Sequence, residues 1–193
     1  MLAGNNDNEL ISKVLRGDQQ AYAGLVERYQ AYVFTLALRM VKNREEAEEL
    51  SQDVFIKAYK YLADFRGESR FSTWLYTIVH NTCLSFLRKK KPDTRSLDEE
   101  HNFNLADNRE TSFRADLVEQ KSRQAMVNQA ISQLGADDAG IITLFYKSEQ
   151  SLEEIARILG IEINTAKVRL HRARQRLKEV METRFTEEVK DLT

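Results

Sequence analysis

Apolar residues recur every three or four positions along most of this chain, and few residues interrupt that spacing. Glycine occurs 7 times and proline once in 193 residues, whereas 31% of the residues are charged. A sheet protein needs many turns, and glycine and proline supply much of their special backbone geometry. The pattern therefore predicts an all-α fold.

The first half of the chain contains three segments with helical spacing. Apolar residues between positions 22 and 40 predict one helix, with Asp18 as its N-cap. A second helix is predicted from about 44 to 62, and its outer face carries Glu48, Glu49 and Asp53. A third helix is predicted from about 72 to 90, and its last residues belong to a basic run.

A charged segment without apolar spacing separates this half from the rest. Pro92 ends the third helix, and residues 92–119 hold 8 acidic and 3 basic side chains. Helical spacing resumes over 117–134, and Gly135 is the predicted stop. The sequence therefore predicts two small helical domains, at 1–91 and 113–193, joined by an acidic flexible linker at 92–112.

Cysteine use and hydropathy predict a cytoplasmic protein. Cys83 is the one cysteine, so no internal disulfide can form, and its apolar surroundings predict a core position. No apolar run approaches the roughly 20 residues that span a bilayer. The N-terminus has no signal-peptide pattern.

The segment after position 150 predicts a helix-turn-helix. Ser151 and Glu154 have the spacing of a capping box in front of an apolar run. Gly160 is suited to the left-handed conformation that ends a helix, and Asn164 or Thr165 is the predicted cap of the next one. Two helices joined by a tight turn of this kind are typical of DNA-binding proteins.

The second of these helices has a thin apolar stripe and a basic outer face. Residues 164–178 carry six formal positive charges and no acidic group. Its first exposed residues would meet base edges in the major groove and its later arginines would meet phosphates. A solvated surface helix is the plain alternative, but unpaired like charges oppose it. The candidate residues are Thr165, Lys167, Val168, Arg169, His171, Arg172, Arg174 and Arg176.

Aromatic and basic residues also alternate between positions 65 and 91. This composition suits unstacked single-stranded bases, and the glycine-containing loop 65–70 can present such groups on a rigid support. Trp74 and Tyr76 fit a structural role in the core equally well. The candidate residues are Phe65, Arg66, Glu68, Ser69, Arg70, Trp74, Asn81, Arg88 and Lys89.

Four segments resemble regions 2 and 4 of the sigma-70 family, in its extracytoplasmic function (ECF, group 4) subfamily. They occur in the family's order and cover most of the chain. The resemblance implies a non-enzymatic initiation subunit with two helical domains, no catalytic residues and no cofactor or metal. The segments are GDQQAYAGLVERYQ, EEAEELSQDVFIKAY, FRGESRFSTWLYTIVHNTCLSFLRKKK and SLEEIARILGIEINTAKVRLHRARQRLK.

The resemblance also implies partners. The first is core RNA polymerase, bound through its beta-prime clamp helices and its beta flap. The second is promoter DNA, which is double-stranded at minus-35 and single-stranded at minus-10. The third is an anti-sigma factor, which can be membrane-anchored. The linker resembles a segment that enters the RNA channel of the polymerase. The turn at 147–150 departs from the family in lacking a glycine. The residues matching the clamp-binding pattern are Glu48, Glu49, Gln52, Asp53 and Phe55.

Three other functions are alternatives to a sigma factor. A helix-turn-helix regulator that works without polymerase is the nearest alternative, but residues 1–91 lack the alternating strands of a receiver domain. An enzyme is disfavoured because His80, His101 and His171 are scattered and no phosphate-binding glycine loop is present. A bundle that binds only proteins would differ from a sigma factor in not supporting promoter-dependent transcription.

Overall fold

The structure is a computed structural model that describes residues 3–90 and 116–184, with side chains described for 7–90 and 124–184. All regular structure within these ranges is helical, so the predicted all-α class is confirmed. A short 3-10 helix, Leu62–Asp64, follows the third α-helix. The α-helices are α1 Ala3–Leu15, α2 Gln19–Val41, α3 Arg44–Lys60, α4 Phe71–Lys90, α5 Asp116–Gln133, α6 Ala136–Tyr146, α7 Leu152–Leu159 and α8 Ile163–Arg184.

Local capping explains where the helices of the first domain begin. The Asp18 carboxylate accepts hydrogen bonds from the backbone N–H groups of Gln20 and Ala21, as the sequence predicts for an N-cap. Asn43 caps α3 in the same way, accepting from the Glu46 N–H at 3.0 Å. The left-handed backbone of Lys42 ends α2 just before it.

Helix α2 is the centre of the first domain and contacts α1, α3 and α4. Leu25, Val33 and Leu36 on its inner face are fully buried. Cys83 of α4 is buried as well, which confirms its predicted core position. Burial raises the pKa of its thiol to about 12.

The second domain contains the predicted helix-turn-helix. Ser151 and Glu154 form the capping box of α7, and Gly160 ends it with a φ of 63°. The predicted caps of α8, Asn164 and Thr165, were wrong because both lie inside its first turn. The Ala166 N–H already bonds to the carbonyl of Glu162, so the chain re-enters the helix two residues after the glycine turn.

The sequence did not predict two of the helices, α1 and α6. Helix α1 has few apolar residues, and among its side chains described from position 7 onward the buried apolar ones are Ile11 and Val14. In α6 the apolar residues are consecutive, because the helix lies between α2 and α8 and is covered on both sides. Gly135 is not a left-handed stop, with a φ of −62°, and instead occupies the N-cap position of α6.

The turn before α7 explains a departure noted in the sequence. Glu149 has a φ of 50°, which is the left-handed conformation that glycine adopts most easily. The Gln150 N–H bonds to the Leu144 carbonyl at 3.1 Å and closes the turn. The fold therefore keeps the turn geometry without the glycine.

The two domains pack directly against each other, with α2 against α6 and α4 against α7. A Cβ on Gly140 of α6 would lie 3.7 Å from Met40 Cγ of α2, which shows how closely these helices approach. The predicted linker, 92–112, lies outside the described residues. Among the residues that are described, none of the helices combines the length and apolar character needed to cross a membrane.

Candidate nucleic-acid interface

Helix α8 has the two faces that the sequence predicts. Ala166, Leu170 and Ala173 are buried against the rest of the domain, and Leu177 is half-buried. The opposite face is exposed to solvent. Its exposed residues near the start of the helix are Thr165, Lys167, Val168, Arg169, His171 and Arg172.

The two later arginines of this face also contact their own domain. The Arg174 guanidinium lies 4.9 Å from the ring centre of Phe145 and 5.3 Å from that of Tyr146. Arg176 forms an ion pair with Asp138 at the start of α6. These contacts hold the two side chains in place along the exposed side of α8.

An open cleft of about 630 Å³ lies between α4, α6 and α8. Its wall includes Leu84, Leu87 and Arg88 from α4, together with Arg169 and Arg172 from α8. The structure therefore brings a residue predicted for minus-10 and two predicted for minus-35 to the same cleft. Sequence reasoning had assigned them to separate domains with no fixed relation.

Three aromatic rings form a cluster where the loop 65–70 joins α4. The ring centre of Phe65 lies 5.8 Å from that of Phe71 and 5.4 Å from that of Trp74. Phe71 is buried, whereas Phe65 and Trp74 are half-buried. Tyr76 is buried and burial raises its pKa, so of the two open assignments its role is structural.

The remaining minus-10 candidates occupy different parts of this region. Arg66, Glu68 and Arg70 are exposed in the loop, where Gly67 has a φ of 72°, and Ser69 is half-buried. Asn81 is exposed near the middle of α4, and Arg88 and Lys89 are exposed at its end. A helix of this length spans about 30 Å. The candidates therefore follow an extended track along α4.

The outer face of α3 carries the candidate polymerase-binding residues. Glu48, Glu49, Gln52 and Asp53 are exposed, and Phe55 is half-buried with its carbonyl accepting the Tyr22 hydroxyl at 2.5 Å. The face continues into two exposed apolar side chains that the sequence analysis missed, Ile56 (66% exposed) and Tyr59 (46% exposed). In the sequence, Ile56 interrupts the polar outer face of α3, and this interruption is the signal that could have identified the exposed apolar surface.

Polar residues in α7 and in the turn before it contact α4, which no sequence pattern indicated. The Thr73 hydroxyl lies 3.1 Å from Gln150 Oε1 and 3.2 Å from Glu154 Oε1. Arg70 Nε lies 3.2 Å from the same Glu154 oxygen. No group of His, Cys and carboxylate side chains in the described ranges is arranged to hold a metal ion.

Comparison with known proteins agrees with this architecture. Residues 25–92 match the family model of sigma-70 region 2, and residues 124–177 match sigma-70 region 4. The RNA polymerase sigma-H factor of Pseudomonas aeruginosa is 34% identical, over 94% of this chain and 97% of its own length. The ECF RNA polymerase sigma factor SigW of Bacillus subtilis is 36% identical, over 87% and 92%.

Two solved structures share the fold. CnrH, in complex with the cytosolic domain of CnrY, has a TM-score of 0.64 at 22% identity and covers 93% of this chain and 99% of that one. RpoE of Bartonella quintana, in complex with the anti-sigma factor NepR, has a TM-score of 0.62 at 24% identity, with 84% and 98% covered. These likenesses support the two-domain helical architecture.

The two helical domains and the helix-turn-helix, together with these matches, define the class of the protein as a transcription initiation factor. The chain belongs to the sigma-70 family of RNA polymerase sigma factors, in the ECF group. The recognition made from the four sequence segments is confirmed.

Proposed function

We propose that this sigma factor reads a minus-35 element with α8 and captures minus-10 bases with the loop 65–70 and α4. The observation that carries the proposal is the exposed basic face of α8 above its buried alanine and leucine stripe. Such a helix can enter the major groove while its apolar side holds it to the domain.

At minus-35, position along α8 determines what each side chain meets. Thr165, Lys167, Val168 and His171 lie near the start of the helix and would contact base edges. Arg169, Arg172, Arg174 and Arg176 would contact phosphates, and their charge would make binding dependent on salt.

At minus-10, the half-buried rings of Phe65 and Trp74 offer stacking surfaces for bases that leave the duplex. Arg66, Glu68, Ser69, Arg70 and Asn81 would contact those bases, and Arg88 and Lys89 would hold the backbone. Unstacking costs a few kcal/mol per base, which new contacts in a pocket can offset. Melting of this kind needs no nucleotide hydrolysis, which fits a non-enzymatic factor without a cofactor.

We propose that α3 binds core polymerase at the beta-prime clamp helices, with the second domain meeting the beta flap. The exposed acidic residues of α3 suit a basic partner and set its orientation. The neighbouring apolar residues Ile56 and Tyr59 add surface that an interface would bury. The protein would act in the cytoplasm, where RNA polymerase is found.

Control by an anti-sigma factor is also proposed. Its support is that RpoE of Bartonella quintana, which shares the fold, was solved with the anti-sigma factor NepR. The proposal does not depend on whether the partner is membrane-anchored. The domain bounds 1–91 and 113–193, and the linker between them, are part of the same proposal.

Run-off transcription tests the function. Purified core polymerase is given fragments of source genomic DNA, with and without this protein. Discrete transcripts that appear only with the protein support a sigma factor. DNA binding without new transcripts or polymerase association would identify a polymerase-independent regulator.

A matched pair of variants assigns the polymerase surface. Asp53→Ala removes a carboxylate from the outer face of α3, and Asp64→Ala removes an exposed carboxylate elsewhere in the same domain. We expect only the first to weaken core binding, as measured by fluorescence anisotropy. Equal effects would contradict the assignment of α3.

A further inference from the structure

We propose that Val168 determines part of the minus-35 sequence by contacting the 5-methyl group of a thymine. The inference adds a specificity-determining residue to α8, and it rests on the proposed role of that helix at minus-35. Its basis is the place of Val168 on the exposed face of α8, where an apolar side chain stands among polar ones.

Val168 lies opposite the side of α8 that packs on its own domain. Successive residues of an α-helix are rotated by about 100° around the helix axis. Val168 is therefore about 160° away from both Ala166 and Leu170, which are 0% and 3% exposed. A helix that enters the major groove with its buried side toward the protein presents the opposite side to the base pairs. Val168 occupies the centre of that side.

The neighbours of Val168 on the helix surface are all polar. Residues three and four positions apart share one face of a helix, and for Val168 these are Asn164, Thr165, His171 and Arg172. All four are exposed, and Val168 itself is 48% exposed among them. A β-branched residue is also a weaker helix former than alanine. Neither packing within the domain nor helix stability therefore accounts for a valine at this position.

A second exposed apolar residue of α8 has a different position. Ile163 is the first residue of the helix and is 47% exposed. It is rotated by only about 60° from Ala166, so it lies beside the buried stripe and not opposite to it. Ile163 is therefore a matched control, because it is apolar and exposed on the same helix but does not face the base pairs.

The major groove offers one apolar group to such a side chain. Guanine, adenine and cytosine present hydrogen-bond donors and acceptors there, and thymine presents its 5-methyl group beside an acceptor oxygen. Valine forms no side-chain hydrogen bond, so against another base edge it removes water from polar atoms and gives no partner in return. Against the methyl group it buries apolar surface. The same side chain thus favours thymine and disfavours the other bases.

The inference predicts a feature of the promoter. The valine side chain is short, so the thymine lies where the backbone of α8 comes closest to the base pairs. The minus-35 element therefore contains an A·T pair at this point, with the thymine on either strand. Removal of its 5-methyl group weakens binding through Val168, although every hydrogen-bonding group of the pair is retained.

The test uses holoenzyme, formed from core polymerase and this protein, on a promoter fragment found by run-off transcription. Each minus-35 thymine is replaced in turn by deoxyuridine, which lacks only the 5-methyl group. Competition binding measures the affinities of the wild type, of Val168→Ser and of the control Ile163→Ser. We expect one thymine at which the wild type and the control lose about fourfold in affinity, the factor that one buried methyl-sized group supplies. Val168→Ser should bind the two fragments equally.

An element in which no thymine responds would overturn the inference, as would an equal response of the wild type and Val168→Ser. Thermal melts verify that the variants are folded, and exposed substitutions of this kind should leave them unchanged. If Val168→Ser melts at a lower temperature, Val168→Ala replaces it, since alanine is the better helix former. The response to deoxyuridine should then be smaller than in the wild type.

Failure of the proposed function has a different outcome. If run-off transcription finds no promoter, the sigma-factor function is contradicted, and the protein alone then selects duplexes from a random library. The exchange of thymine for deoxyuridine is repeated in the selected sites. A response that depends on Val168 supports the inference without the polymerase. A selected site that shows no such response, or the absence of any selected site, overturns it.

Discussion

Arg39 of α2 donates hydrogen bonds to both oxygens of Asn128 on α5, at 2.8 Å to the backbone carbonyl and 2.7 Å to the side-chain amide. Arg39 is only 4% exposed, and this burial lowers the pKa of its guanidinium group. Burying a charge is costly unless acceptors surround it. This pair is therefore a second polar connection between the domains, in addition to the contact of Thr73 with Gln150 and Glu154.

Removing the side-chain acceptor should destabilise the closed protein. Asn128→Ala leaves Arg39 with the backbone carbonyl alone, and we expect the free energy of unfolding to fall by about 1–3 kcal/mol. Urea denaturation followed by circular dichroism measures it. Gln129→Ala, at the exposed next position, should change it by less than about 0.5 kcal/mol. Equal losses would show that the pair contributes nothing specific.

Two glycines in open space allow backbone conformation to be tested alone. Neither Gly160 nor Gly135 has an atom within 4 Å of an added Cβ, but Gly160 has a φ of 63° and Gly135 one of −62°. Gly160→Ala should cost about 1–2 kcal/mol because an L-residue is strained there. Gly135→Ala should change stability by no more than about 0.5 kcal/mol, because its backbone is unstrained for an L-residue although alanine is a weaker N-cap than glycine. Thermal melts that rank the two variants in the opposite order would contradict the turn geometry.

His80 should make stability fall in mild acid. Burial, followed by the charges of Arg169 and Arg88, lowers its pKa, although Asp137 and Asn81 oppose this. Below about pH 6.5 the unfolded chain binds a proton that the folded chain does not, so unfolding becomes easier as pH falls toward the folded pKa. The loss has a limit of about 1.4 kcal/mol per pH unit.

His80→Gln provides the comparison for that measurement, since glutamine does not titrate. Urea denaturation between pH 5 and pH 8 should show a smaller pH dependence for the variant than for the wild type. Parallel curves would mean that other groups cause the acid sensitivity.

Lys167→Ala should weaken DNA binding and leave polymerase binding intact. Loss of this contact at the start of α8 should cost about 1–3 kcal/mol if Lys167 reads a base, with the largest effect at one position of the minus-35 element. If it meets a phosphate, affinity should fall equally for all sequences and the salt slope by about 1. Lys178→Ala, near the end of the helix, is the control. A loss of core polymerase affinity would contradict the assignment of α8 to DNA.

Much of the local structure could be predicted because it depends on neighbours in the chain. The Asp18 cap, the capping box of Ser151 and the turn at Gly160 each involve residues within four positions. The buried stripe of α8 follows from helical spacing in the same way. Helix α6 could not be predicted, because its apolar residues face α2 as well as its own domain and so show no periodicity.

In the candidate site, too, the features that depend on residue order could be predicted, and those that depend on packing could not. The exposed basic face of α8 and the acidic face of α3 follow from residue order, since a helix places every third or fourth residue on one side. Tyr76 shows the limit of that reasoning. It shares the aromatic composition of its neighbours, and only packing shows that it lies in the core and Trp74 at the edge.

The sequence by itself determined the helical class, the helix-turn-helix and the family, because these depend on spacing, caps and charge within short segments. Tertiary structure alone decided that Thr73 meets Glu154 and that Arg39 meets Asn128. The first pair joins residues 81 positions apart in the sequence, and the second joins residues 89 positions apart. Polar contacts over such separations leave no periodic trace in the chain, since their partners are chosen by how whole helices pack.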